Sequence, residues 1–204
     1  MASRIRAEDI TGLILCGGKG SRMGGVDKGL QTLKGQPLVQ HTMLRLQPQV
    51  GAMLINANRH LDEYARFGLP VLPDSQPDFA GPLAGFMAGF IACKTEWMLT
   101  VPCDSPLFPL DLAERLAGAA SQAQADVAAP LTLEDGQARL QPVFCLLRSS
   151  LRASLAKYMQ EGGRKIDHWL LQHQHVFVPF HAPSDSKAFF NANTLAELNA
   201  LEPE

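Results

Sequence analysis

The run Ile10-Thr11-Gly12-Leu13-Ile14-Leu15 breaks off directly into Cys16-Gly17-Gly18-Lys19-Gly20-Ser21-Arg22-Met23-Gly24-Gly25-Val26-Asp27-Lys28. A short apolar run ended by glycine is the pattern of a strand buried on both faces, which occurs almost only in parallel sheets covered by helices. The rest of the chain must then supply helices for two faces. Pro37 suits the first turn of a helix running to about Leu46, followed by a strand over 52–57 and a short helix over 59–67. Residues 69–72 read as a strand, 83–93 as a helix rich in small residues, 97–101 as a strand, and 110–120 as a helix opened by Pro109. Strands follow over 126–129 and 141–146, with 131–141, which contains Asp135-Gly136, as a turn or hairpin between them. Helices over 149–159 and 165–171, a strand over 175–180 and a helix over 194–201 capped by Thr194 complete the chain. This alternation predicts an α/β fold of three layers around a mostly parallel sheet, with ligands beyond the carboxyl ends of the strands.

The loop after the first strand has the composition of a phosphate cradle. Glycine lets backbone N–H groups approach phosphate oxygens, and Lys19, Arg22 and Lys28 add charge-assisted hydrogen bonds. Its spacing excludes two nucleotide motifs. A P-loop needs Ser or Thr directly after Gly-Lys, but Gly18-Lys19 is followed by Gly20. A dinucleotide fingerprint counted from Gly18 and Gly20 meets Met23 where its third glycine belongs, and no acidic residue lies between Asp27 and Asp62 to hold a ribose.

Composition narrows the partners. A chain of 204 residues with 46% hydrophobic and 19% charged residues is read as one domain, 1–204. A net charge of −2 gives no broad basic field, so no nucleic-acid partner is expected and an anionic ligand must be held by local charge. Cys16, Cys93, Cys103 and Cys145 form no Cys-x-x-Cys pair and the first residues lack a secretory apolar core, so the expected location is cytoplasmic. The longest nearly apolar run, 83–93, is too short to cross a membrane, and no membrane partner is expected.

Two further loops carry candidate chemistry. Leu99-Thr100-Val101-Pro102-Cys103-Asp104-Ser105-Pro106 is a strand that stops at proline and presents Asp104 just past its end. One carboxylate there suits Mg²⁺, whose octahedron substrate phosphates and water complete, and it equally suits a turn-forming aspartate. In the proline- and glycine-rich segment 71–85, either Asp74 or Asp78 could accept hydrogen bonds from the two donors on guanine's edge, or both simply shape the start of the next helix. Asn56 and Asn58 either contact base or sugar or end their strand. Late in the chain, Arg164 and Lys165 are candidates for an anionic substrate or a solvated pair, and Asn191 and Asn193 for phosphate or metal binding or a helix cap. His168, His173, His175 and His181 lack metal-ligand spacing and read better as scattered histidines.

With these loops in order, the chain resembles the molybdenum cofactor guanylyltransferases, the MobA-type members of the nucleotidyltransferase superfamily. The superfamily pattern of an apolar strand, Leu-x-Gly-Gly, Gly-x-Arg-Met-Gly and Asp-Lys is met from Leu15 to Lys28, with Cys16 where alanine is usual. Leu72-Pro73-Asp74 with 77–85 is similar to the guanylyltransferase branch, and 101–106 to the family's metal loop. Gln141-Pro142-Val143-Phe144, Glu161-Gly162-Gly163-Arg164-Lys165 and Phe190-Asn191-Ala192-Asn193-Thr194 resemble its pterin-side and closing motifs.

The resemblance implies a Rossmann-like nucleotidyltransferase fold and a Mg²⁺-dependent enzyme. The implied reaction moves GMP from GTP to the terminal phosphate of molybdopterin or Mo-molybdopterin, with pyrophosphate released. It assigns backbone contacts with the nucleotide to Leu15, Cys16 and Gly17, phosphate wrapping to Gly18 through Gly20, charge neutralisation to Arg22 and Lys28, and Mg²⁺ to Asp104; Asn56 and Asp74 join the nucleotide contacts, with the aspartate that meets the base, Asp74 or Asp78, left open. Arg164, Lys165, Asn191 and Asn193 fall on the acceptor side. Transient contacts with molybdenum-insertion proteins and molybdoenzyme chaperones are the implied protein partnerships. A cytidylyltransferase acting on the same pterin shares the phosphate loop and metal aspartate but needs another base pocket. A non-catalytic nucleotide-binding cofactor carrier has less use for Arg22, Lys28 and Asp104 together.

Overall fold

The computed structural model describes residues 4–17, 27–74, 81–134, 136–185 and 188–190. The first strand, β1 (Ile10–Leu15), is buried along its whole length. A small antiparallel hairpin, β2 (Thr32–Leu33) and β3 (Gln36–Pro37), leads into α1 (Leu38–Leu46), with Pro37 immediately before its first turn. Then come β4 (Ala52–Asn56), α2 (Leu61–Ala65), β5 (Val71–Leu72), α3 (Pro82–Ala92), β6 (Trp97–Pro102) and α4 (Leu112–Ala123). The remaining elements are β7 (Val127–Glu134), β8 (Gln137–Leu140), β9 (Cys145–Arg148), α5 (Arg152–Gln160), α6 (Ile166–Leu170) and β10 (His175–Phe180).

All strands but the small hairpin join one sheet in the order β5-β4-β1-β6-β9-β7-β10, with β8 paired to β7. Parallel pairing joins β5, β4, β1 and β6, and again β7 and β10. Because β9 is antiparallel to both β6 and β7, those two run the same way, and only β8 and β9 oppose the common direction. The sheet is therefore mixed but mostly parallel. From β1 the chain moves outward to β4 and β5, then returns to the other side of β1 as β6. That reversal opens a crevice beyond the carboxyl ends of β1 and β6, the place where such sheets bind ligands.

Alternation along the strands divides the core. Ile10 and Ile14 of β1 pack with Val39 and Leu46 of α1, Tyr64 of α2 and Leu112 and Leu116 of α4. Leu13 and Leu15 face the other way, onto Leu83 and Phe86 of α3, Leu155 of α5 and Trp169 of α6. Leu13 and Ile14 are both 0% exposed on opposite faces, and full burial of each such side chain contributes about 1.5–3 kcal/mol. Helices thus cover both faces, as the unalternating first strand requires.

Several boundaries shift for identifiable reasons. The helix expected over 59–67 contracts to Leu61–Ala65, since His60 at φ 51° is left-handed and stands outside it. The helix expected from 110 begins at Leu112, and a first-turn N–H, that of Ala113, is satisfied by Gln49 Oε1 at 3.0 Å. The strand expected over 141–146 is displaced to Cys145–Arg148; Phe144 N donates to Gln141 O at 3.0 Å, so the Gln141-Pro142-Val143-Phe144 segment is a turn. The hairpin read around Asp135-Gly136 is β7–β8, with Asp135 outside the described residues, as is the expected helix over 194–201.

Candidate functional site

The ends of the central strands converge beyond β1. Cys16 N donates to Asn56 O at 2.8 Å and Cys103 N to Leu15 O at 3.1 Å, so pairing continues one step past the strands. This brings the start of the glycine loop beside the residues that follow β4 and β6. Leu15 and Cys16 are buried and Gly17 half-buried at its mouth. Gly18, Lys19, Gly20 and Arg22 lie outside the described residues, as does Asp78. At the loop's far end, Asp27 opens a single helical turn, Lys28–Leu30. Lys28 Nζ donates to Asp104 Oδ2 at 2.9 Å, with the two side chains 26% and 17% exposed. With both side chains mostly buried, each charge compensates the other, and removing either partner leaves the other without this compensation. An anion bound at the ammonium together with a cation at the carboxylate would replace that pairing.

A second cluster forms where β4 and β5 end. Asn56 Nδ2 donates to Asp74 Oδ1 at 2.9 Å and to Leu72 O at 3.0 Å. Asn58 Nδ2 donates to Asp74 Oδ2 at 2.8 Å, while its Oδ1 accepts from Asp74 N at 2.8 Å. Each carboxylate oxygen of Asp74 thus receives one amide donor and keeps a further lone pair for a ligand. Asn56 is 2% exposed. Its Oδ1 occupies the space that a Cβ at Gly85 would fill, and a Cβ at Gly17 would come within 2.9 Å of it. Glycine at those positions lets α3 and the start of the glycine loop close on the asparagine.

Under the Lys28–Asp104 pair is a buried floor that sequence reasoning missed. Asp27, 7% exposed, accepts from Tyr64 Oη at 2.6 Å and from Gly29 N at 3.2 Å, both on Oδ1. Tyr64 is 0% exposed; burial, then the neighbouring Cys16 and Cys103 and Asp27, pushes its phenol well above the ordinary tyrosine range. It stays protonated and can only donate to the carboxylate. The Cys103 thiol is also pushed well up, by its hydrogen bond with Cys16 and then by complete burial. Thr42 Oγ1 of α1 reaches Cys103 O at 3.4 Å, tying the residue before Asp104 to the helix layer. A lone tyrosine in the polar helix Leu61-Asp62-Glu63-Tyr64-Ala65 was the available signal, but its partner lies far away in sequence.

The acceptor-side candidates Arg164 and Lys165 stand on another element, the turn between α5 and α6. β9 ends and β10 begins at the amino end of the sheet, since Arg148 pairs with Trp97 and His175 with Val127. The α5–α6 turn carrying Arg164 and Lys165 therefore lies at the carboxyl end, the same end as the crevice. There Arg164 Nη1 donates to Gly163 O at 2.9 Å and Met159 O at 3.3 Å, and Tyr158 Oη donates to Lys165 O at 3.0 Å. Asn191 and Asn193 lie outside the described residues. Of the late histidines, His173 shares a hydrogen bond with Ser154 Oγ at 3.1 Å and stacks edge-on against Trp169; its pKa is lowered by burial, opposed by Asp126.

Asp104 fits a magnesium ion by the chemistry of its donor set. It offers a hard carboxylate at the crevice, beside a cation suited to phosphate. Among the described residues no group of three or more His, Cys, Asp or Glu side chains could cage a metal. Magnesium does not need such a cage, because one or two carboxylates with substrate phosphates and water suffice. Also among the described residues, no helix is long and apolar enough to cross a membrane.

A carboxylate and an ammonium at the strand-order reversal of an α/β sheet have the chemistry to handle a polyphosphate and its metal. Residues 12–176 match the MobA-like NTP transferase domain, and the chain belongs to that family. It is 60% identical over 205 residues to a molybdenum cofactor guanylyltransferase of Acidovorax sp. (strain JS42), with 97% of each chain covered. It is 56% identical over 193 residues to one of Bordetella petrii, covering 95% of this chain and 97% of the relative. In fold it is similar to the crystal structure of molybdopterin-guanine dinucleotide biosynthesis protein A from Archaeoglobus fulgidus, with a TM-score of 0.74 at 21% identity over 93% of this chain and 95% of that one. A 4-diphosphocytidyl-2C-methyl-D-erythritol synthase from Anaerococcus prevotii shares the fold with a TM-score of 0.70 at 12% identity, over 95% and 94% of the two chains.

Proposed function

We propose that this chain transfers GMP from GTP to the terminal phosphate of molybdopterin or its molybdenum-loaded form, releasing pyrophosphate. A terminal phosphate oxygen of the acceptor attacks the α-phosphorus, a new P–O bond forms, and the bond to the β-phosphate oxygen breaks. No protein nucleophile is needed, since positioning and charge stabilisation carry such a displacement. Lys28 neutralises charge gathering on the departing pyrophosphate, helped by Arg22. Asp104 holds Mg²⁺, which supplies Lewis-acid polarisation of phosphate oxygens when bound. The backbone of Leu15, Cys16, Gly17, Gly18 and Gly20 lines the nucleotide and its phosphates. Arg164, Lys165, Asn191 and Asn193 serve the anionic acceptor. The chain works as one domain in the cytoplasm, meeting molybdenum-insertion proteins and molybdoenzyme chaperones transiently.

The observation that carries the base assignment is the doubly anchored carboxylate of Asp74. Its two remaining lone pairs, side by side, match the adjacent N1–H and N2–H₂ donors of guanine, with Asn56 beside them. Cytosine's corresponding edge carries one donor group and two acceptors, and the acceptors face a carboxylate unfavourably. Purified protein supplied with Mg²⁺, molybdopterin and each nucleoside triphosphate in turn should incorporate GMP from GTP. Preferential turnover of CTP under matched conditions overturns the guanylyl assignment.

A further inference from the structure

Lys28 must point into the crevice to meet a phosphate, yet the turn that carries it is a single one, Lys28–Leu30, too short to hold a direction by itself. Its anchor is the residue before it. Asp27 is buried, and its Oδ1 joins the turn's own Gly29 N to the hydroxyl of Tyr64 in α2. Gly29 is buried as well, and a Cβ there would overlap the Tyr64 hydroxyl and lie 3.2 Å from Cys103 Sγ. The turn is thus pressed onto the phenol on one side and onto the residue preceding Asp104 on the other. Lys28 reaches Asp104 across this floor.

We propose that Tyr64 and Asp27 are positioning residues for phosphoryl transfer: the buried phenol–carboxylate hydrogen bond fixes the turn that aims Lys28 at the polyphosphate. This rests on the proposed role of Lys28. Both groups are buried, at 7% and 0% exposure, and on this proposal they act through the lysine. Tyr64→Phe keeps the ring that fills the core and removes only the hydroxyl. Asp27→Asn keeps an acceptor oxygen for Tyr64 and Gly29, whereas Asp27→Ala keeps none.

The test is a double-mutant cycle on kcat and KM for GTP, with GTP binding measured separately by fluorescence titration. Tyr64→Phe alone should lower kcat/KM about tenfold, mostly in kcat. In a Lys28→Ala background it should do almost nothing further, because the lysine it aims is gone. Asp27→Ala should match Tyr64→Phe or exceed it, and Asp27→Asn should recover most of the loss. A Tyr64→Phe effect that repeats in full on top of Lys28→Ala overturns the inference, as does wild-type kcat and KM in Tyr64→Phe. Should Tyr64→Phe fail to fold, the two Asp27 variants decide by the same comparison, and equal losses in both overturn it. A Lys28→Ala protein with undiminished transfer refutes instead the role of Lys28 on which this inference stands.

Discussion

The two ends of the crevice are built on different principles. Where β4 and β5 finish, a carboxylate is clasped by neutral amides, Asn56 and Asn58, so Asp74 is already oriented and can keep those partners when a base arrives. Where β1 and β6 finish, Lys28 and Asp104 hold each other, and a polyphosphate with its metal would have to part them. Under the proposed function the first arrangement would read a pattern of donors and the second would exchange one set of charges for another. That reading puts selectivity at the first end and rate at the second, where the Tyr64–Asp27 hydrogen bond is proposed to keep Lys28 in register.

That division can be broken most directly at Asp104. Asp104→Ala should lower transfer a hundredfold or more with every nucleoside triphosphate alike, while circular dichroism remains that of the wild type. A rate near wild type removes the metal role, and a loss confined to GTP breaks the division itself. Lys28→Ala should follow closely, about a hundredfold down with no change in base preference. Because the two side chains are only 26% and 17% exposed, removing the lysine leaves the Asp104 carboxylate without this partner, and the melting temperature should fall by several degrees, at about 2–4 °C for each kcal/mol lost. A larger fall would make the ion pair structural.

At the other end, Asp74→Asn should reduce the GTP-to-CTP preference about tenfold or more while leaving turnover at saturation within a few-fold. Hydrogen bonds to a charged acceptor are worth about 1.5–3 kcal/mol each, and an amide replaces one acceptor with a donor facing the base. An unchanged ratio in steady-state competition removes Asp74 from base reading.

How much of this was legible in the sequence follows the same divide between local and distant. β1 reads correctly because an unalternating apolar run ended by glycine has few other uses, and β10 is found over the same residues as expected. Local chemistry also marked Asn56, Asp74 and Asp104, each at or just past a strand end, and Lys28 at the far end of the glycine loop, and Lys28 Nζ meets Asp104. The start of α4 was misjudged because its first-turn partner, Gln49, lies in another part of the chain. Tyr64 was missed for that reason too: a tyrosine in a short polar helix shows nothing of Asp27 until α2 is packed under the loop. Spacing names the residues that face a ligand, but not those that hold them from behind.

The smallest effect sharpens the comparison within the base end. Asn56 and Asn58 each donate one amide N–H to an Asp74 carboxylate oxygen, but Asn56 is 2% exposed and wedged against Gly17 and Gly85, whereas Asn58 is exposed and also accepts from Asp74 N. Asn58→Ala removes both of its exposed contacts with Asp74, which water can replace, so KM for GTP should rise only about threefold with kcat unchanged. Asn56→Ala leaves a buried void and removes a donor from Asp74 and one of the two from Leu72 O, which keeps Ala57 N at 3.1 Å, so it should cost more in thermal stability. Equal effects of the two substitutions would mean that water replaces either amide equally well. The orientation of Asp74 would then come from the backbone of its own loop, and the base end would be less preorganised than its hydrogen bonds suggest.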